Sequence, residues 1–149
     1  MIPAFSPDGF LPPGLHSASL LEVETRFGGN AKRDGQLDLL RQVVNAAKSY
    51  SSIKRVLLWG SFVSIKVEPN DLDYSLVVGV EHRLVSILPE HERFLVPNAA
   101  RLAYGVDPNY LLITDYDLER YSMRMDFIMT GRDLRHHGVV EISLRGETQ

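Results

Sequence analysis

The sequence predicts an α+β domain in which a mixed β-sheet is packed by helices, and three observations predict it. The 149 residues suit one globular domain with its own hydrophobic core, spanning 1–149. An apolar stripe at helical spacing, Leu37, Leu40, Val44 and Ala47, precedes two strand-length apolar runs, Ile53–Trp59 and Leu72–Val80. Both runs are apolar nearly throughout, which belongs to strands covered on both faces rather than to a half-wet hairpin.

Each element follows from local chemistry. Pro3, Pro7, Gly9, Pro12, Pro13 and Gly14 punctuate residues 1–16 so densely that an irregular arm is expected, with Phe5, Phe10 and Leu11 pinning it to the body. Ser19-Leu20-Leu21-Glu22 spells a capping box, and Leu20, Val23 and Phe27 continue at helical spacing until Gly28-Gly29, so a short helix is expected there. The amphipathic stripe predicts a second helix over Gln36–Tyr50, with Asp38, Arg41, Asn45 and Lys48 turned to water. After the two strands, Glu90–Tyr104 carries Phe94, Leu95, Ala99, Leu102 and Ala103 on one side and reads as a helix divided by Pro97. Leu111–Thr114, Met123–Met129 and Val139–Leu144 are three further strand candidates. Neither an internal repeat nor a linker-like stretch interrupts the chain.

Composition excludes several classes of function. Sixteen Lys and Arg against nineteen Asp and Glu leave a net charge of -3, so the broad positive field of a non-specific DNA binder is missing. With no cysteine, disulfides, cysteine nucleophiles and thiolate zinc sites are ruled out, and any metal must be held by oxygen or histidine. No apolar stretch approaches the roughly 18 residues of a membrane span, and the N-terminus lacks the pattern of a secretory leader. A soluble cytoplasmic protein is expected.

Chemistry concentrates in Leu58-Trp59-Gly60-Ser61-Phe62-Val63-Ser64-Ile65-Lys66-Val67-Glu68-Pro69-Asn70-Asp71-Leu72-Asp73-Tyr74. Side chains two apart on a strand share a face, so Asp71 and Asp73 are expected side by side, with Leu72 and Tyr74 facing the opposite layer. Adjacent carboxylates repel unless a cation sits between them, and Mg²⁺ suits the place because it takes one or two carboxylates together with a substrate's phosphates. Gly60-Ser61 adds a backbone that a ligand can approach and a hydroxyl that can donate to anionic oxygens. A simpler alternative stays open at this point: a tight turn at Gly60-Ser61, and Asn70-Asp71 as a local turn leading into a strand.

These residues resemble the minimal nucleotidyltransferase superfamily, the DNA polymerase β-like fold, whose signature is Gly-Ser or Gly-Gly after a strand, a short spacer, then Asp-hydrophobic-Asp. Here the signature reads Gly60, Ser61, Asp71, Leu72, Asp73. The resemblance implies a nucleotidyltransferase-like mixed sheet and a third carboxylate on a later strand. Asp126 in Arg124-Met125-Asp126-Phe127-Ile128-Met129 fits that form, although an ion pair with Arg124 on one strand face explains it as well. Where many members continue from the Gly-Ser with a small residue and an arginine, this chain has Phe62-Val63-Ser64, so Lys66 is the candidate for the phosphate grip. The opening segment, the Phe27-Gly28 helix end and the closing Gly138-Val139-Val140-Glu141-Ile142 are also similar to a group of small prokaryotic proteins of unknown function with this core.

The resemblance implies transfer of a nucleoside monophosphate from an NTP to a hydroxyl acceptor, a protein, an RNA or a small molecule. Asp71, Asp73 and Asp126 would be catalytic and hold one or two Mg²⁺ ions, and Gly60, Ser61 and Lys66 would bind phosphate. The alternative from another class is a weak or silent nucleotidyltransferase fold used for binding, such as the antitoxin of a toxin–antitoxin pair with the toxin as partner protein. Nucleic-acid contact is the less favoured use of Tyr116, Arg120, Tyr121 and Arg124, because Asp115, Asp117 and Glu119 dilute the charge. His136-His137 reads as a polar connection, and His16, His82 and His91 are scattered without ligand spacing.

Overall fold

The computed structural model describes residues 1–97 and 110–144. Its element order is β1 (Gly14–Ser17), α1 (Leu20–Phe27), α2 (Ala31–Ala47), β2 (Ile53–Trp59), β3 (Asp73–Val78), α3 (Glu92–Leu95), β4 (Tyr110–Thr114), α4 (Leu118–Met129) and β5 (Gly138–Ser143). The strands form one sheet in the order β1-β5-β2-β3-β4. The β1–β5 and β3–β4 pairs are parallel, and the β5–β2 and β2–β3 pairs antiparallel, so the sheet is mixed as expected.

Strand periodicity divides the core between the two faces. Val56, Leu58, Tyr74, Leu76, Val78, Val140 and Ile142 pack with α1 and α2, whereas Leu57, Val77, Ile113 and Val139 pack with Met125 and Ile128 of α4. This two-sided burial explains why the apolar runs are nearly continuous. Among the described residues, no helix is long and apolar enough to cross a membrane.

The helices form largely where capping chemistry allows. Ser19 accepts from the Glu22 amide as the capping box requires, but the Glu22 carboxylate accepts from the Ile2 amide and so ties down the arm. Helix α2 starts five residues before the expected Gln36, because Asn30 caps it by accepting from the Arg33 amide. Its first turns carry Arg33 and Gln36 as buried polar groups, which a search for apolar periodicity passes over. It ends at Ala47 rather than Tyr50, although Tyr50 stays buried.

Three further expectations need correction. The arm is irregular only as far as Pro13, since Gly14–Ser17 pairs with β5 as a short edge strand; pairing with a neighbour, not local propensity, makes it. Met123–Met129 is helix, not strand. Met123, Met125, Phe127 and Met129 alternate along the chain, but the buried residues Met125 and Ile128 keep helical spacing and Asp117 caps the start at the Arg120 amide. In the expected helix over Glu90–Tyr104, Glu92–Leu95 is helical with Phe94 and Leu95 buried; residues 98–104 lie outside the described ones.

The anchors named for the arm do hold it. Leu11 is buried, Phe5 packs edge-on against Phe27 at 6.3 Å, and Phe10 stacks on His137 at 3.9 Å. Phe10 also bridges to Ser64, and the Ile65 amide donates to the Gly9 carbonyl, which joins the arm to the segment after Gly60-Ser61.

Candidate active site

The end of β2 builds the first wall. Trp59 is extended, and Gly60 then takes a φ of +74°, a left-handed conformation that favours glycine and sends the chain into a tight turn over Gly60–Val63. A Cβ at Gly60 would collide with Oδ2 of Asp73, so the absent side chain is what lets this carboxylate lie against the turn. Asp73 starts β3 and is the register partner of Trp59, which puts the two side chains on the same face of the sheet, the α4 face. Trp59 Nε1 donates to Ser75 Oγ at 3.0 Å, one step further along that face.

The connection from Phe62 to Pro69 is held from below by α2. The Arg33 guanidinium donates to the carbonyls of Phe27, Phe62, Ser64 and Lys66 at 2.6–3.2 Å. Burial, with carbonyls in place of a carboxylate, lowers the Arg33 pKa from the ordinary arginine value, yet the group stays cationic at neutral pH. Asn30 donates to the Val67 carbonyl and Gln36 to that of Pro69. Three donors spaced three apart, at the cap and first turns of α2, therefore occupy five carbonyls between Phe62 and Pro69. Within the loop, Ser64 Oγ donates to the Ser61 carbonyl and accepts from the Lys66 amide.

Helix α4 and the turn after it make the other wall. Met123 and Phe127, one turn apart and 67% and 59% exposed, border the cavity together with Trp59, whose ring meets Phe127 edge-on at 6.0 Å. His137 follows the turn, and its Nε2 bonds both carboxylate oxygens of Asp133 at 2.9 and 3.0 Å. The Asp133 pKa is lowered, first by the hydrogen bond it accepts from the Arg135 amide and then by the contact with His137.

Between the walls lies an open cavity of about 1220 Å³. Gly60, Ser61, Lys66, Asp71, Asp73 and Asp126, all expected from sequence as site residues, border it. Asp71 reaches it from an exposed bend before β3, so strand alternation does not set its side chain as expected. Leu72 and Tyr74 do face the opposite layer, where both are buried. The Lys66 ammonium makes no ion pair among the described residues.

Asp126 departs from its expected setting. It rides on α4, its side chain is 72% exposed, and its partner is His136 Nε2 at 3.4 Å rather than Arg124. The strand next to β3 is β4, whose Tyr110–Thr114 contain no acid. Among the described residues, no three Asp, Glu or His side chains converge as a metal-holding group.

The donor set nevertheless suits one divalent ion of a particular kind. Mg²⁺ keeps several waters and is commonly held by one or two carboxylates plus substrate phosphates rather than by a protein cage. Asp71 and Asp73, which border one cavity, supply two such carboxylates, that of Asp73 taking the place a Gly60 side chain would fill. Asp126 borders the same cavity from α4.

Sequence reasoning missed Arg33 and the Asp133–His137 pair. Arg33 offered no signal, since a buried arginine inside a polar helical turn reads as a solvated residue. The four-residue spacing of Asp133 and His137 was visible but lay in what read as a plain polar connection. Tyr121 and Arg120, considered for nucleic-acid contact, are engaged within the fold, by Arg55 and Asp117 respectively.

Neither a curated protein nor a solved structure matches the chain. A family model matches residues 3–143, nearly the whole length, and the chain therefore belongs to DUF6932, a family of unknown function.

Proposed function

We propose that the chain is a Mg²⁺-dependent nucleotidyltransferase that moves a nucleoside monophosphate from an NTP to a hydroxyl acceptor. The observation that carries this reading is the meeting of the Gly60-Ser61 turn, Asp71 and Asp73 at one open cavity, with the Asp73 carboxylate lying where a Gly60 side chain would be. Likeness of these residues to the minimal nucleotidyltransferase signature supports it.

In this reading Asp71 and Asp73 hold the ion, which neutralises charge on the triphosphate. Gly60 lets the backbone approach the phosphates, Ser61 donates its hydroxyl to a phosphate oxygen, and Lys66 offers a mobile ammonium from the cavity rim. The acceptor hydroxyl gives up its proton to water and its oxygen bonds to the α-phosphorus as the bond to the α–β bridging oxygen breaks, and pyrophosphate leaves. Asp126 is not assigned a metal.

A second reading is favoured by that last point. With no third acid beside the pair among the described residues, the fold would bind Mg²⁺ and nucleotide, or a partner protein such as a toxin, without transfer.

Calorimetry with Mg²⁺ and each NTP tests the proposal, with pyrophosphate release followed in the presence of cell extract as a source of acceptor. Mg²⁺-dependent heat and release, both abolished in Asp71→Asn/Asp73→Asn, are the expected outcome. Folded protein that gives no heat with any NTP overturns both nucleotide readings. Heat without release supports the silent one.

A further inference from the structure

We infer that Trp59, Phe127 and Met123 form the subsite for the nucleobase, an aromatic corner that binds the base by stacking and so tolerates different bases. The inference rests on the nucleotide reading above and deepens it.

The corner is continuous with the acidic pair. Trp59 is the register partner of Asp73 in the β2–β3 ladder, and directly opposed residues on one sheet face lie about 4.5–5.5 Å apart at Cβ. A group held at Asp73 is therefore one side chain away from the indole. Phe127 meets that indole at 73°, and Met123, one helical turn back, extends the same side of α4. Perpendicular rings make a corner in which a third flat ring can lie against one face while its edge meets the other.

The exposure of these residues calls for an occupant. Helix α4 seats itself on the sheet through Met125 and Ile128, yet it leaves Phe127 and Met123 more than half exposed on a concave wall rather than on open surface. Large apolar side chains that stay solvated inside a cavity gain when a flat apolar ligand displaces water. The indole N–H is already committed to Ser75 Oγ, so Trp59 offers its ring and not a hydrogen bond. Recognition through ring faces discriminates little between bases and favours the larger purines.

Trp59 is the chain's single tryptophan, so its emission reports on this corner alone. The full-length protein is titrated with Mg²⁺-ATP, Mg²⁺-CTP and Mg²⁺-tripolyphosphate, by calorimetry and by Trp59 fluorescence. Base stacking predicts that ATP binds at least about tenfold more tightly than tripolyphosphate and more tightly than CTP, and that only the nucleotides change the emission strongly. Phe127→Ala should remove about tenfold of the ATP affinity and leave tripolyphosphate binding as it was. Equal affinities for ATP and tripolyphosphate, or unaltered ATP binding by folded Phe127→Ala, overturn the base subsite while the phosphate site stands. Binding of none of the three overturns the nucleotide reading itself, and the subsite with it.

Discussion

The two walls of the cavity are built in opposite ways. The wall from Gly60 to Asp73 is a loop whose carbonyls are occupied by Asn30, Arg33 and Gln36 from α2, and whose own Ser64 bridges Ser61 to Lys66. The opposite wall is a helix held by two buried apolar residues and a turn closed by an Asp–His pair whose carboxylate is solvent-accessible. A buried donor network resists displacement because each lost bond strands a polar group away from water, whereas a packed helix edge can shift by small repacking. The contrast teaches that the chain is stiff where a polyphosphate and ion would need fixed oxygens and adaptable where a base or acceptor would sit.

Removing the guanidinium tests the stiff wall most severely. Arg33→Met leaves carbonyls of Phe62, Ser64 and Lys66 without their donor, and should cost about 3 kcal/mol in urea denaturation. Arg33→Lys should recover only part of this, since an ammonium cannot reproduce the planar fork. A loss below about 1 kcal/mol for Arg33→Met would show that the loop stands without its anchor.

Gly60→Ala probes the same wall at its tip. Forcing a Cβ into a left-handed conformation costs about 1–2 kcal/mol, and the new methyl must push the Asp73 carboxylate aside. Thermal melting should therefore show a modest loss, while Mg²⁺-NTP affinity falls at least about tenfold. Unaltered affinity would detach Gly60 from the site.

Acid should loosen the adaptable wall first. The folded Asp133 pKa lies below its ordinary value of 3.8, so its contribution to stability is present above that value and is lost as pH falls through the lower folded pKa. The ties of the loop wall run from guanidinium and amide groups to backbone carbonyls, which do not titrate in this range. Hydrogen exchange near pH 3 should thus rise at the Arg135 amide well before the Lys66 amide, and Asp133→Asn should raise the Arg135 exchange at neutral pH.

Asp126→Asn should have the smallest effect. An exposed carboxylate paired among the described residues only with His136 contributes little to stability, and Mg²⁺-NTP affinity should stay within about twofold of the parent. A loss comparable to that of Asp73→Asn would restore Asp126 to the metal site and show that the two walls close on each other around the ligand.

Much was legible in the chain itself. Strands β2 and β3, and the residues of the glycine turn and acidic pair, could be read because continuous apolar runs and short-range motifs are properties of neighbouring residues. Capping at Ser19 and the anchoring of the arm by Phe5, Phe10 and Leu11 were legible for the same reason. What was misread depended on partners far away in sequence. The alternation in Met123–Met129 suits a strand equally well until α4 lies on the sheet and buries Met125 and Ile128. Gly14–Ser17 becomes a strand only because β5 is there to pair with it.

Local order along the chain therefore determined that this protein carries a mixed sheet covered by helices, with a small turn and two acids at its rim. Tertiary structure decided which of those groups share a cavity, that the third acid reaches it from a helix rather than a strand, and that a buried arginine from α2 sets the loop. The physical reason is that hydrophobic periodicity and capping act over a few residues, while hydrogen-bond satisfaction and cavity shape are settled only when distant segments pack together.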